Sequence, residues 1–372
     1  MADRPRVTAI GEQTSLADRK RRAGQRLVIG FERPHVDDDL RRLVAELRPA
    51  GFVLFARNVE EPAQVLELNR ELASLVDPRA PALLCVDQEG GRVQRVREPA
   101  TVWPPMLTVG RAERHTAEVS RAMALELRAM GFNLNYAPVA DVHSEPRNPI
   151  IGDRAFGTSP DVVARHVVAF LEAHQAEGVV ACAKHFPGHG DTTVDSHLDL
   201  PVVEKEEPDL RHVELPPFEA AVRAGVGSVM ASHVVYPAFD EELPAGFSRR
   251  VTRRLLREEL GFGGVVFSDD LEMKAVHGRF PVERQVRLAT EAGVDVLLAC
   301  RTPELQLELF EALVREQEAD AGFDQACIDA AARVQALRER FFTAAPAAPG
   351  LEVVGCARHR ELAARVAERG AA

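Results

Sequence analysis

The sequence predicts an α/β chain of the (β/α)8 TIM-type barrel class. Three observations predict it. Eight short apolar runs alternate with stretches of helical periodicity along the 372 residues, which implies a parallel sheet with a helix after each strand. Five of those runs end on polar side chains, the placement that a barrel gives its site-forming loops. The first run is followed by Glu32-Arg33-Pro34-His35 and not by the glycine-rich phosphate turn of an open, doubly wound sheet.

The elements follow in order. After a polar lead-in, Arg26 to Phe31 (RLVIGF) reads as the first strand. Leu40, Leu43, Val44 and Leu47 then recur at helical spacing within Asp37 to Leu47. Gly51 to Phe55 is the second strand, and Glu61-Pro62 opens a helix with Val65, Leu66, Leu72 and Leu75 on one side. Ala82 to Val86 is the third, ending at Asp87-Gln88-Glu89-Gly90-Gly91-Arg92. A helix from about 112 to 130 leads to the fourth strand, Asn133 to Val139, which ends at Asp141. A helix from Pro160 to Glu177 precedes the fifth, Gly178 to Ala183. Ser228 to Ala231, Gly264 to Phe267 and Val294 to Ala299 complete the eight, with helices at about 208–224, 251–260 and 281–292 and two more after the last strand. Thr343 to Gly350 (TAAPAAPG) reads as a linker, and Ala357 to Arg369 as one amphipathic helix. The expected division is therefore a barrel domain over 1–342 and a linker with a C-terminal tail over 343–372.

Composition excludes some functions. The net charge of −11 argues against nucleic acid as a partner. No run reaches the roughly 20 apolar residues of a membrane span, and the charged N-terminus lacks the apolar segment of a signal peptide. Five scattered Cys without paired spacing fit a reducing cytoplasm.

The chemistry concentrates in Lys184-His185-Phe186-Pro187-Gly188-His189-Gly190-Asp191-Thr192-Thr193-Val194-Asp195-Ser196-His197, directly after a buried strand. With Asp87, Asp141, Ser232-His233 and Asp269-Asp270 it makes five polar strand ends in register. Such ends converge on one face of a barrel. Asp269-Asp270 also suits a helix N-cap, and two adjacent residues of an extended strand point to opposite faces. One carboxylate is thus expected at the mouth and the other to orient it or to cap the next helix. Asp195 stands two residues from His197, where a carboxylate can fix the tautomer of an imidazole and leave its second nitrogen for proton transfer. The types of His185, His189, Asp191, Asp195 and His197 also suit zinc, so a metal-dependent hydrolase stays open. A non-catalytic sugar-binding barrel stays open beside it.

Lys184 to His197 (KHFPGHGDTTVDSH) resembles the signature of glycoside hydrolase family 3, in its β-N-acetylglucosaminidase branch. Val86 to Arg92 (VDQEGGR), Asn148 to Phe156 (NPIIGDRAF) and Phe267 to Met273 (FSDDLEM) agree with it, in the family's order, over about residues 25–340. The resemblance implies a single (β/α)8 catalytic domain without cofactor or metal. It implies that Asp269 is the nucleophile, and that His197, paired with Asp195, is the general acid/base. Asp87, Arg154, Lys184 and His185 then hold sugar hydroxyls, and Arg95 and Met273 line or support that subsite. The tail beyond about 345 has no counterpart in the pattern.

The implied reaction is retaining and passes through an oxocarbenium-like transition state and a glycosyl-enzyme on Asp269. A neutral imidazole in place of the acid carboxylate does not repel an anionic aglycone or acceptor. The expected substrates are N-acetylglucosaminyl-anhydromuramyl peptides of cytoplasmic peptidoglycan recycling, and the expected state is a monomer or weak dimer. Alternatives are a family 3 β-glycosidase or glycoside phosphorylase of other sugar preference.

Overall fold

A computed structural model describes residues 15–192 and 200–371. In chain order the first half runs α1 (Leu16–Gly24), β1 (Leu27–Ile29), α2 (Asp38–Leu47), β2 (Gly51–Leu54), α3 (Pro62–Ser74), β3 (Leu83–Val86), a hairpin of β4 (Gln88–Gly90) and β5 (Val93–Gln94), α4 (Met106–Arg111), α5 (Thr116–Ala129), β6 (Leu134–Asn135) and α6 (Pro160–Ala176). The second half runs β7 (Val180–Phe186), α7 (Glu207–Val213), α8 (Pro216–Arg223), β8 (Ser228–Ala231), a hairpin of β9 (Val235–Tyr236) and β10 (Asp240–Pro244), a π-helical segment Arg249–Glu259, β11 (Val265–Asp270), α9 (Val282–Ala292), β12 (Val296–Ala299), α10 (Pro303–Ala319), α11 (Ala321–Phe341) and α12 (Ala357–Ala371).

Eight strands close a parallel barrel in the order β1-β12-β11-β8-β7-β6-β3-β2, which confirms the expected class. Alternation along each strand divides the core in two. Leu27 and Ile29 point outward to the helices, while Val28 points inward with Val53, Cys85, Cys182, Val265, Val296 and Leu298. Val334, Leu337 and Phe341 of α11 join that inner cluster and plug the foot of the barrel. The mouth at the other end is left for the loops.

The differences from expectation have local causes. The helix expected at 208–224 is two, because Pro216-Pro217 cannot continue the first. The fourth strand shrinks to Leu134–Asn135 with one further bridge, Val139 to Lys184, because Pro138 has no N–H to give the ladder. The fifth and seventh strands run past their apolar parts to Phe186 and Asp270, since polar side chains leave backbone pairing intact. Residues 345–350 carry no helix or strand, and α12 buries Leu362, Ala363 and Val366 against α4 and α5.

Candidate active site

Two strands end with a slip of register. The β7 ladder to β8 shifts between Lys184 and Phe186, and the β11 ladder to β12 shifts between Phe267 and Asp270. Each slip lets consecutive residues look the same way. Lys184 and His185 line one cavity at the mouth, and Asp269 and Asp270 line it too. Both thus line the cavity, where strict alternation would turn one away, while the orienting part expected of one of them falls to Asp270. Asp270 shares the cavity and also orients the chain, its Oδ1 accepting from the N–H of Glu272 at 3.1 Å and of Cys300 at 3.3 Å.

The cavity encloses about 180 Å³. Val53, Tyr136, Met230 and Leu298 of the inner core form its floor. Asp87, Arg95, Arg154, Lys184, His185, Asp269 and Met273 all line it, so the structure gathers these expected residues at one place. Asp195 and His197 lie outside the described residues.

A chain of charges holds one wall. Lys184 Nζ, from β7, donates to Asp87 Oδ1 at 2.7 Å and lies 2.7 Å from Glu89 Oε1. Arg154 grips Glu89 with two parallel bonds, Nε to Oε2 and Nη2 to Oε1, both 2.8 Å. Arg95 Nη2 reaches Asp87 Oδ2 at 3.3 Å, and its guanidinium lies 5.1 Å over the Phe55 ring. Burial alone would raise the Glu89 and Asp87 carboxyls. The charge of Arg154 and Lys184 on the first, and of Lys184 and Arg95 on the second, outweighs it and holds both below the ordinary range. Glu89 is 1% exposed and carries no role in the sequence reading. Its signal was present, since it stands two residues beyond Asp87 and so falls on the same side. Gly90 and Gly91, at φ +106° and +57°, make the turn that returns the hairpin to Arg95.

Behind His185 lies Asp141, fully buried, which accepts from His185 Nδ1 at 2.7 Å, His185 N at 3.1 Å and His189 N at 2.6 Å. That bond directs His185 Nε2 toward Arg154, 3.4 Å away. Burial and the neighbouring His185 push His189 down to about 4, so it is neutral. Gly190 packs so closely that a Cβ there would meet Val142 O at 1.5 Å, which explains one glycine of the motif.

Burial would raise Asp269, but the neighbouring His185 and His233 rings, the N–H of Asp270 and the charge of Lys184 hold it below its ordinary value. It is ionised at neutral pH. Its Oδ1 accepts from Asp270 N at 2.8 Å. His233, one of the polar strand ends, is fully buried beside it. Among the described residues no cluster of three or more His, Cys, Asp or Glu is arranged to hold a metal ion.

Asp270 differs from Asp269. Its burial pushes it up to about 7, helped by the charges of Glu272 and Asp269. A carboxyl raised in the folded state binds its proton there at pH values where the unfolded chain has lost it, so stability falls as pH rises from about 4 to 7. Asp270→Asn keeps the accepting oxygen and removes the charge. The variant should gain on the parent across that window, by up to about 4 kcal/mol at 1.36 kcal/mol per unit, and level off above it. Urea unfolding of both proteins at four pH values checks this, and a constant difference would contradict the raised value.

Comparison with known proteins agrees with this geometry. Residues 20–337 match the glycosyl hydrolase family 3 N-terminal domain. A β-hexosaminidase from Thiobacillus denitrificans is 42% identical over 285 residues, 74% of this chain and 78% of that protein. A glycoside hydrolase family 3 β-N-acetylglucosaminidase from Paenibacillus sp. superposes with a TM-score of 0.88 at 37% identity, covering 94% of this chain and 68% of that one. NagZ from Neisseria gonorrhoeae, in complex with N-trifluoroacetyl-D-glucosamine, gives 0.77 at 31% identity, covering 93% and 98%. With a closed barrel, a charged cavity at its mouth and a family match over most of its length, the chain belongs to glycosyl hydrolase family 3.

Proposed function

We propose that this glycosidase is an exo-acting β-N-acetylhexosaminidase that releases terminal N-acetylglucosamine with retention. The observation that carries the reading is Asp269, a half-buried, ionised carboxylate in a cavity lined by Asp87, Arg154, Lys184 and His185. An ionised carboxylate can attack the anomeric carbon. The floor of inner-core side chains makes the cavity a dead end, which suits a terminal sugar. His197, oriented by Asp195, protonates the leaving oxygen and then activates water. Arg154 and Lys184 donate to the sugar, with Asp87 accepting and His185 beside them, while Arg95 and Met273 support the subsite. The names of the β-hexosaminidase and β-N-acetylglucosaminidase relatives support the sugar.

The natural substrates in this reading are N-acetylglucosaminyl-anhydromuramyl peptides, met in the cytoplasm during peptidoglycan recycling. An imidazole at His197, which carries no negative charge in either protonation state, tolerates their carboxylates where a second carboxylate would repel them. Among the described residues no helix is long and apolar enough to cross a membrane. The barrel over 1–342 is the catalytic unit, with 343–372 as its tail.

The test is a panel of aryl β-glycosides. The N-acetylglucosaminide should be cleaved well above the glucoside and xyloside, with undiminished rate in EDTA and no sugar phosphate formed when phosphate is added. Faster cleavage of the glucoside sinks the sugar assignment. Loss of activity in EDTA revives the metal-dependent hydrolase, and a sugar phosphate product makes the chain a phosphorylase.

A further inference from the structure

The ion pairs of the cavity wall do not hold themselves in place. Glu89 and Arg95 ride on the short β4–β5 hairpin, which projects from the barrel and pairs with no barrel strand. Part of its support comes from the loop that follows. Gln94 clasps that loop, its Oε1 accepting from Trp103 N at 3.1 Å and its Nε2 donating to Thr101 O at 3.1 Å. Gly91 N donates to Trp103 O at 2.9 Å from the hairpin turn. On the barrel side the hairpin is held by Asn135 of β6, whose Oδ1 accepts from Gln88 N and whose Nδ2 donates to Gln88 O, both at 2.9 Å, so residues 101–103 brace its other side.

Residues 101–103 are fixed in turn by a buried acid that the proposed chemistry does not use. Glu126 of α5 is 3% exposed. Its Oε2 accepts from Thr101 N at 3.0 Å and its Oε1 from Thr101 Oγ1 at 2.5 Å. The remaining donors come from the tail: Gly355 N at 3.1 Å and His359 Nδ1 at 2.8 Å, both to Oε1. The tail also meets the loop directly. Arg360 Nη2 donates to Pro99 O at 2.9 Å, and a Cβ on Gly355 would stand 1.9 Å from the same oxygen, so the two backbones are in close contact. The His359 ring lies 6.3 Å from that of Trp103. Four donors from two separate segments thus converge on one carboxylate. A buried acid so occupied cannot lose a donor cheaply.

We propose that Glu126 and the C-terminal helix α12 are positioning elements of the sugar subsite, fixing the 97–105 loop and through it the hairpin that carries Glu89 and Arg95. The tail, which lies beyond the family match ending at residue 337, is then part of the working site. The path from His359 to Glu89 has four links: His359 to Glu126, Glu126 to Thr101, the 101–103 loop to Gln94 and Gly91, and the hairpin to Glu89. This inference rests on the reading of the cavity as the sugar subsite.

The experiment compares full-length variants by steady-state kinetics on the aryl N-acetyl-β-glucosaminide and by thermal melting. Glu126→Gln turns an amide N–H₂ toward groups that are themselves donors. His359→Ala and Thr101→Val remove one donor each and keep the fold if the first variant fails to fold. His359→Asn restores a donor. Arg333→Ala is the control, since it removes the 2.8 Å bond to the buried Asp295 at the other end of the barrel. Misplacing a positioned group by about 1 Å can cost on the order of a hundredfold. We expect kcat/KM to fall roughly ten- to a hundredfold in Glu126→Gln and His359→Ala, chiefly through KM. His359→Asn should recover most of it, and Arg333→Ala should lower the melting temperature with KM unchanged. Kinetics equal to the parent in His359→Ala and Thr101→Val, or a KM rise shared by Arg333→Ala, would overturn the proposal. Glu89→Gln serves as a reference arm. If it leaves KM unchanged, the subsite reading is wrong; if it raises KM while His359→Ala does not, the fault lies with the tail.

Discussion

Asp269→Asn should abolish turnover on every substrate, by roughly four to six orders of magnitude, the scale seen when a covalent nucleophile is removed. In the proposed double displacement neither step can begin without that carboxylate. The fold should survive, because Asn keeps an oxygen for the N–H of Asp270. His197→Ala gives the complementary result. A dinitrophenyl glycoside needs little protonation of its leaving group, so the glycosyl-enzyme still forms, and it then waits for a base. The expected trace is a burst of phenolate followed by slow turnover, with the sugar on Asp269 by mass spectrometry. Azide should speed release and give a product of retained β configuration. Asp195→Ala should show a milder form of the same defect. Equal losses on good and poor leaving groups, without burst or azide rescue, would remove His197 from the role.

Glu89→Leu should have the second largest effect, on stability and activity together. The substitution leaves Arg154 without its bidentate partner and takes one of two carboxylates from Lys184, in a place that water barely reaches. Breaking a buried pair from one side costs about 3–5 kcal/mol. Both carboxyls of this wall are lowered in the folded state, so the stability they add is complete above the unfolded value near pH 4–4.5 and is lost only as pH falls toward their folded values. The gap between parent and variant in urea unfolding should therefore be constant from about pH 5 to 8 and close under strong acid. kcat/KM should fall along with it. A variant as stable and active as the parent would make the cluster ornamental.

Much of the fold was legible because buried parallel strands announce themselves. Runs such as Leu-Leu-Cys-Val and Val-Leu-Leu-Ala are apolar throughout, and helices with one-sided periodicity separate them. The hairpins were not legible. Gln88–Gly90 and Val93–Gln94 are two or three residues long, mostly polar, and held by a side-chain clasp from Gln94 that no periodicity records. The register slips of β7 and β11 were also invisible, because a slip is defined by the partner strand, tens of residues away. Without them, alternation predicts that Asp269 and Asp270 diverge. The gathering of Asp87, Arg154 and Lys184 in one cavity was legible through their common place after strand ends, while the central part taken by Glu89 depends on distances that only the folded chain supplies.

The order of the barrel also bears on how the protein is made. β1 is flanked by β2 and β12, and Leu27 pairs with Leu297, 270 residues later. At translation rates of roughly 5–20 residues per second, β1 waits about 14–54 s for its second neighbour. Throughout that interval its free backbone edge and the apolar inner face of an open sheet stand unpaired, a template for pairing with other nascent chains. α11, whose Val334, Leu337 and Phe341 seal the foot, arrives later still. Premature release of the nascent chain before β12 emerges therefore yields an unclosed sheet, and the yield of active enzyme in expression should depend on ribosome-bound chaperones that cover that edge.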